Sequence, residues 1–190
     1  EKGLILYVGT IIRKKGVLEL PAIFNKVRET IPEARLVLIG SDSFDIQTQS
    51  LSTWELLKKE FEEEDLEQVS YLGKMSYDNV QEYIRKANVC VFPSFAETFG
   101  MVTIEAMAMQ KPVVSNDFGW SQELIVSGQN GFLVHPKKHT DFAKTIVTLL
   151  EDEHLCEKIG AAARHRVESI FDIQQIVQQN VDFYESIISK

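Results

Sequence analysis

Residues 89–105 read VCVFPSFAETFGMVTIE, and this stretch decides the fold of the chain. Its first four residues, Val89 to Phe92, form an unbroken apolar run, which is typical of a parallel strand that is covered on both faces. Pro93 ends the run, and the small and apolar residues that follow Gly100 predict a tightly packed helix. The stretch therefore predicts a strand, a loop and a helix in direct succession, which is the unit of a parallel α/β sheet.

The same unit recurs along the chain. Between the strands, apolar residues at helical spacing predict amphipathic helices, and three further stripes predict a helical tail over about residues 140–190. Strands that alternate with helices imply right-handed crossovers. We therefore expect a single Rossmann-like α/β domain over residues 1–190, with about six parallel strands and helices on both faces. The predicted strands cover residues 4–8, 35–39, 69–72, 89–92, 112–115 and 132–134.

Local signals predict where three helices begin. Ser52 and Glu55 have the spacing of a capping box, in front of a helix that continues through the acidic run 62–65. Ser76 is the predicted cap of the next helix. Pro21 lies inside the first helical pattern, so this helix either begins close to Pro21 or bends there.

The composition limits the classes of partner. A formal net charge of -8 argues against nucleic acid and anionic membrane surfaces, because those partners select positive fields. Cys90 and Cys156 lack metal-site spacing, which favours a reduced, intracellular chain. The sequence shows neither a signal-peptide pattern nor an apolar run of membrane-spanning length. It also lacks the glycine-rich dinucleotide fingerprint and the P-loop, which disfavours NAD binding and ATP hydrolysis.

The predicted site lies between the strand and the helix of residues 89–105. In open α/β sheets, ligands bind beyond the carboxyl ends of the strands, where the free amides of a helix start attract anions. Glu97 and Glu105 flank this helix start and are expected on the order of 10 Å apart, which matches the two ends of a nucleotide sugar. Gly100 lets a ligand approach the backbone closely. The spacing leaves a second interpretation open, in which Glu97 merely favours the helix dipole and Glu105 is exposed.

Other polar and aromatic residues carry weaker signals. His135 and His139 are four residues apart, but Pro136 follows His135 directly and prevents a helical pair of metal ligands. Phe118 and Trp120 follow the fifth strand, where core or rim packing is favoured over contact with a ligand. No metal site is expected.

Residues 93–119, PSFAETFGMVTIEAMAMQKPVVSNDFG, resemble the signature region of the retaining glycosyltransferases of family 4, with its two glutamates separated by seven residues. An ordered series of further segments resembles the same family. The resemblance implies the C-terminal, nucleotide-sugar-binding half of a GT-B enzyme, and we expect the N-terminal acceptor-binding half to be missing from this chain. The further segments are VGTIIRKKGV (8–17), ARLVLIGSD (34–42), VSYLGKMSYDNVQEYIRKANVCVFPS (69–94) and QELIVSGQNGFLVHP (122–136).

The resemblance also implies a role for each matching residue. Glu97 and Lys15 are the implied catalytic residues: Glu97 holds hydroxyls of the transferred sugar, and Lys15 neutralises the diphosphate leaving group. Glu105 binds the ribose hydroxyls. Contacts to sugar and phosphate are implied for Gly9, Thr98, Phe99, Gly100 and Met101, and the base is expected beside Gly73 and Lys74.

The chain departs from the family pattern at Thr10, directly after Gly9. Family members usually carry an arginine there, which shares the diphosphate with the lysine that matches Lys15. A hydroxyl supplies one neutral hydrogen bond where a guanidinium supplies a charged fork. Either Arg13 reaches the diphosphate from the same turn, or the leaving group is less well stabilised.

The implied reaction moves a hexose from a UDP- or GDP-sugar to a hydroxyl of an acceptor glycan or glycolipid, with retention at the anomeric carbon. A lysine and helix amides act as preorganised electrostatic stabilisation, so neither a metal nor a cofactor is expected. The alternatives are a non-catalytic nucleotide-sugar-binding module and a GT-B nucleotide-sugar epimerase. A phosphorylase needs a lysine for pyridoxal phosphate, and the chain has no motif for one.

The resemblance carries expectations about the whole enzyme as well. The isolated chain is expected to bind a nucleoside diphosphate but to transfer no sugar. The full-length enzyme is expected in the cytoplasm, in peripheral contact with the inner face of the membrane. Its final helix, residues 173–190, is expected to pack back toward the missing half.

Overall fold

A parallel β-sheet forms the centre of the computed structural model, which describes residues 3–188. Its strand order is β3-β2-β1-β4-β5-β6, and every neighbouring pair within this range is parallel. The predicted six-stranded parallel sheet is therefore confirmed, and three strands end or begin one residue inside the predicted bounds. The strands are β1 (Leu4–Val8), β2 (Arg35–Ile39), β3 (Val69–Tyr71), β4 (Val89–Phe92), β5 (Val113–Ser115) and β6 (Phe132–Leu133).

The central strands are apolar without interruption because both faces of the sheet are covered. Successive residues of β1 point to opposite sides: Ile5 and Tyr7 belong to one apolar cluster, whereas Leu4 and Leu6 belong to the other. All four residues of β4 are buried. A polar residue at any of these positions would face a packed interior, so the run VCVF predicts burial on both sides.

Helices cover both faces, as predicted. The cluster that contains Ile5 packs with helices Leu20–Arg28 and His139–Glu151. The cluster that contains Leu4 packs with helices Tyr77–Lys86, Met101–Ala108 and Glu153–Phe171. Two short 3-10 turns, Arg13–Lys15 and Val17–Glu19, precede the first helix. The helices are α1 (Leu20–Arg28), α2 (Thr53–Lys58), α3 (Glu63–Leu66), α4 (Tyr77–Lys86), α5 (Met101–Ala108), α6 (Ser121–Leu124), α7 (His139–Glu151), α8 (Glu153–Phe171) and α9 (Ile173–Ile188).

Two predictions about helix ends are wrong in part. The single helix predicted from Ser52 through the acidic run is divided into α2 and α3, because Phe61 turns inward to pack edge-on against Phe24 at 6.1 Å. Ser52 does cap α2, since its hydroxyl accepts a hydrogen bond from the Glu55 amide at 2.9 Å. Ser76 stands at the start of α4, but its side chain makes no capping hydrogen bond. Of the two options for Pro21, the helix begins there, with Pro21 in its first turn.

The helical tail ends in α9, which has no buried residue. Its apolar stripe is open to solvent, with exposed fractions that run from 42% at Val181 to 83% at Ile188. The predicted end of this helix, Lys190, lies outside the described residues. Within residues 3–188, no helix combines the length and the apolar character that crossing a membrane requires. Both cysteines are free thiols, Cys90 buried and Cys156 half-buried.

Candidate functional site

A cavity of about 270 Å³ lies at the carboxyl ends of β1 and β4, the adjacent strands at the centre of the sheet. This is the point where the strand order changes direction, and ligands of open α/β sheets bind at such points. Of the twelve predicted site residues, the cavity brings together these eight: Gly9, Thr10, Lys15, Glu97, Thr98, Phe99, Gly100 and Met101. The rest of its wall comes from Tyr7, Val8, Phe92, Ser94, Val102 and Thr103.

Two loops meet at this cavity because Gly16 permits their close approach. Gly16 has a φ of +69°, and a Cβ atom there would lie 1.7 Å from the carbonyl oxygen of Pro93. The Lys14 carbonyl also accepts hydrogen bonds from the amides of Phe95 at 2.9 Å and Ala96 at 3.1 Å. These contacts join the turn after β1 to the loop after β4, and they set the positions of the residues on either side.

Lys15 and Glu97 form an ion pair in the wall of the cavity. The other carboxylate oxygen of Glu97 accepts a hydrogen bond from the Thr98 amide at 2.9 Å. Partial burial raises the pKa of Glu97, but hydrogen bonds from Lys15 and from the Thr98 and Gly100 amides outweigh it and hold that pKa below its usual value. Glu97 is therefore an ionised acceptor at neutral pH, beside a cation.

Helix α5 begins at the same wall. Its N-cap residue, Gly100, adopts a left-handed conformation with φ 70° and ψ 40°, and no side chain caps the helix. The first amides of a helix have no acceptor within the helix, so those of Met101 and Val102 are suited to bind an anion. The arrangement places a cation, an ionised carboxylate and helix amides around one small cavity.

Tyr7 lies in the floor of this cavity, although it was predicted only as a residue of the first strand. Its hydroxyl donates a hydrogen bond to the Thr10 carbonyl at 3.0 Å. Burial, and to a lesser degree the charge of Glu97, raise the pKa of Tyr7. A tyrosine within an otherwise aliphatic run was the available signal, because a buried phenol needs a polar partner. Tyr7 thereby ties the backbone at Thr10 to the strand.

Arg13 does not line this cavity, and its contact with a diphosphate stays a prediction. Its guanidinium forms a fork with the buried carboxylate of Asp45, with Nε–Oδ1 and Nη2–Oδ2 distances of 2.8 Å each. Hydrogen bonds from Arg13 and Thr48 hold the pKa of Asp45 well below its usual range, against the opposing effect of its burial. The cation in the lining of the cavity is Lys15.

Arg13 instead lines a second and larger cavity of about 490 Å³, which lies on the other side of the turn. Size alone would favour it as the site, but it contains none of the eight predicted residues that line the smaller cavity, and both carboxylates in its wall are paired with cations. The carboxylate of Glu19 is bonded to Lys137 and His139, each at 2.7 Å. That contact also accounts for His139, and no cluster of three or more metal-ligating side chains occurs among residues 3–188. The smaller cavity is therefore the better candidate.

Besides Arg13, three predicted residues lie outside the cavity lining: Glu105, Gly73 and Lys74. Glu105 is half-buried on α5, where burial raises its pKa and a hydrogen bond with the Tyr77 hydroxyl opposes the shift. Tyr77 opens α4 and follows the loop of Gly73 and Lys74, so it links the Glu105 side chain to that loop. Tyr77 was not among the predicted site residues. The second interpretation of Glu105, full exposure, does not hold.

The sequence model of the family described as "Glycosyl transferases group 1" matches residues 1–166. A trehalose synthase of Thermococcus litoralis is 30% identical over 98% of this chain and 45% of its own. Among solved structures, the sucrose-phosphate synthase of Thermosynechococcus elongatus superposes with a TM-score of 0.83 and 31% identity, over 100% of this chain and 46% of that one. HepE of Anabaena in complex with UDP-glucose superposes at 0.80 with 25% identity, over 98% and 49%. The chain thus spans a little under half the length of each.

Proposed function

The chain belongs to the glycosyl transferases of group 1, and we propose that it is the nucleotide-sugar-binding domain of a retaining hexosyltransferase of family 4. The observation that carries this proposal is the Lys15–Glu97 pair at the start of α5, in a cavity between β1 and β4. A nucleotide sugar offers a diphosphate to the cation and the helix amides, and hydroxyls to the carboxylate. Each member of the ion pair therefore exchanges its present partner for part of the donor.

The donor is proposed to lie along the cavity, with its sugar at Glu97 and its nucleoside toward Glu105. The interaction of Glu105 with Tyr77 supports this direction, because Tyr77 opens α4 three residues after Lys74. A Cβ atom at Gly73 would meet no atom within 4 Å, so the backbone there is open to a flat base. HepE was solved with UDP-glucose, and this favours UDP over GDP for the present chain.

The proposed chemistry concerns the charge that develops on the departing diphosphate. Lys15 and the amides of Met101 and Val102 are positioned before the reaction starts, and such preorganised donors stabilise a developing anion more than water does. Thr10 adds a neutral hydroxyl where the family usually has an arginine. We propose that the diphosphate is held by one cation and by backbone amides, and that neither a metal nor a cofactor takes part.

Titration calorimetry of the chain with UDP and GDP tests the binding. UDP is expected to bind, and Lys15→Ala is expected to weaken it by at least about tenfold, because a hydrogen bond to a charged group is lost. Lys14→Ala is the matched control, since Lys14 is an exposed cation on the same turn. Absence of binding by either nucleotide contradicts the proposal.

The role of Glu97 is tested by comparing UDP with a UDP-sugar. Glu97→Gln is expected to keep the affinity for UDP and to lose the additional affinity that the sugar provides. In the full-length enzyme, the same change is expected to abolish transfer to an acceptor glycan or glycolipid. Wild-type protein that binds the donor without turnover would be a binding module, and conversion of the sugar without an acceptor would indicate an epimerase.

A further inference from the structure

Three aromatic side chains from separate parts of the chain stack beside the proposed donor site. Phe99 belongs to the loop before α5, Trp120 follows β5, and Phe171 is the last residue of α8. The Phe99 and Trp120 rings are stacked, 4.9 Å apart and inclined by 26°. Phe171 packs edge-on against Phe99. Their ring centroids lie 5.9 Å apart, and the ring planes are inclined by 80°. The stack joins the site to the end of the α8 helix.

Trp120 is the fixed member of the stack. Buried hydrogen bonds hold the chain on both sides of it: Ser121 Oγ donates to Asn116 Oδ1 at 2.8 Å, and Ser115 Oγ donates to the Phe92 carbonyl at 3.2 Å. The Trp120 Nε1 atom is buried and has no hydrogen-bond partner among residues 3–188. A buried indole N–H usually finds an acceptor, so the orientation of this ring is set by packing.

The Trp120 ring also packs directly behind the backbone that opens α5. A Cβ atom at Gly100 would lie 3.4 Å from Trp120 Cδ1 and 3.7 Å from Glu97 Cγ. The indole and the Glu97 side chain therefore border the same point on the backbone. Any shift of the stack moves the segment that carries both the carboxylate and the helix amides.

Phe171 is the member of the stack that lies beyond the match to the family model, which ends at residue 166. Near its middle, helix α8 packs closely on the turn that follows α5, since a Cβ atom at Gly160 would lie 2.1 Å from the Gln110 carbonyl oxygen. From that contact α8 runs back along α5 and delivers Phe171 to Phe99. The remaining part of the tail, α9, has no buried residue.

We propose that Phe171 is a positioning residue of the donor site, which acts through Phe99 to hold residues 98–101 in the geometry that binds the diphosphate and the sugar. This inference rests on the proposed function. Phe99 is 41% exposed, so Phe171 and Trp120 are the ring contacts that restrain it. Phe171 lies at the edge of the apolar cluster that contains Leu4, so its removal is expected to free the loop while the sheet stays in place.

A fluorescence measurement tests this geometry without any ligand. The chain has two tryptophans, and Trp54 stacks on Tyr71 instead, so Trp54→Phe leaves Trp120 as the sole reporter. In that background Phe171→Ala is expected to shift the Trp120 emission to the red and to increase its quenching by acrylamide. Phe171→Tyr, which keeps the ring, is expected to match the parent. Phe183→Ala, which removes an exposed ring of α9, is the control and is expected to change nothing.

The affinity for UDP then tests the positioning role. Phe171→Ala is expected to raise the Kd for UDP about tenfold, because small misplacements of a binding group are costly. The Kd of Phe171→Leu for UDP is expected to lie between that of Phe171→Ala and that of the parent. Phe171→Tyr and Phe183→Ala are expected to bind UDP with the Kd of the parent. The tyrosine rescue separates positioning from general destabilisation, which thermal unfolding monitors in every variant.

The outcomes are distinguishable. If the parent chain binds UDP and Phe171→Ala binds it equally well, the positioning role is overturned and the proposed function stands. If the parent chain binds neither UDP nor GDP, the proposed function fails and the positioning role fails with it. If Phe171→Ala does not fold, Phe171→Leu and Phe171→Tyr still test the positioning role. Equal Kd values for Phe171→Leu and the parent then overturn that role.

Discussion

At the scale of single residues, close approach decides where the site residues lie. The Lys15–Glu97 pair exists because Gly16, directly after Lys15, lets the first turn touch the loop after β4. The sequence predicted both members of the pair as site residues, but their direct contact is a property of the folded chain. The same holds for Arg13, whose partner Asp45 is 32 positions away.

Substitution of Gly16 by alanine is expected to destabilise the fold strongly. The methyl group adds a collision with the Pro93 carbonyl to the strain of a left-handed residue, a total of at least about 3 kcal/mol. Gly73 is a matched control, since its φ of +66° is nearly the same but no atom lies within 4 Å of a Cβ there. Gly73→Ala is expected to cost only about 1 kcal/mol, from strain alone. Urea unfolding of both variants measures the difference, and equal losses contradict the explanation.

Arg13→Ala separates the role of Arg13 from that of Lys15, which lies on the same turn. Asp45 is 2% exposed, and removal of its partner leaves a buried carboxylate unpaired, which costs about 3 kcal/mol. We expect this variant to lose stability but to bind UDP as the parent does, whereas Lys15→Ala shows the opposite pattern. Denaturation and calorimetry on the same samples check this expectation. Weak UDP binding by folded Arg13→Ala would place Arg13 at the diphosphate after all.

At the scale of secondary-structure elements, α9 differs in burial from the helices that cover the sheet. Helices α1 and α7 cover one face of the sheet, and α4, α5 and α8 cover the other. Helix α9 has the apolar periodicity of a packed helix but no buried residue. Its expected contact with an N-terminal half stays a prediction.

Removal of residues 173–190 is expected to leave the rest of the domain folded. Because α9 buries no residue, the free energy of unfolding is expected to change by less than about 1 kcal/mol, as for surface substitutions. The far-ultraviolet circular dichroism is expected to lose the contribution of one 16-residue helix. A truncation after Asp172 retains Phe171, so UDP affinity is expected to be kept. Cooperative unfolding that disappears on truncation contradicts this division of the chain.

At the scale of the whole molecule, the sheet order creates the site. The order β3-β2-β1-β4-β5-β6 sets β1 beside β4, so the turn after one and the loop after the other meet at one edge. The chain between them forms the outer strands on one side, and the chain after β4 forms those on the other. The cavity is the consequence of this arrangement.

Occupation of that cavity is expected to stabilise the whole domain. At a UDP concentration of 100 times the Kd, linkage adds about 2.7 kcal/mol to the free energy of unfolding. Uridine lacks the diphosphate and serves as the control, because the proposal assigns much of the affinity to Lys15 and the amides of α5. Thermal unfolding with each compound at equal concentration checks the expectation. Equal increases of the unfolding temperature with uridine and UDP would contradict the proposal that the site binds the diphosphate.

The sequence by itself determined the strands, their parallel arrangement and the loop that holds Glu97. Continuous apolar runs and helical periodicity are local signals that report which residues are buried. They do not report what a side chain meets, because that depends on segments brought together by the sheet. Only the tertiary structure therefore directed Arg13 to Asp45, joined Tyr77 to Glu105, and carried Phe171 across 72 positions to Phe99.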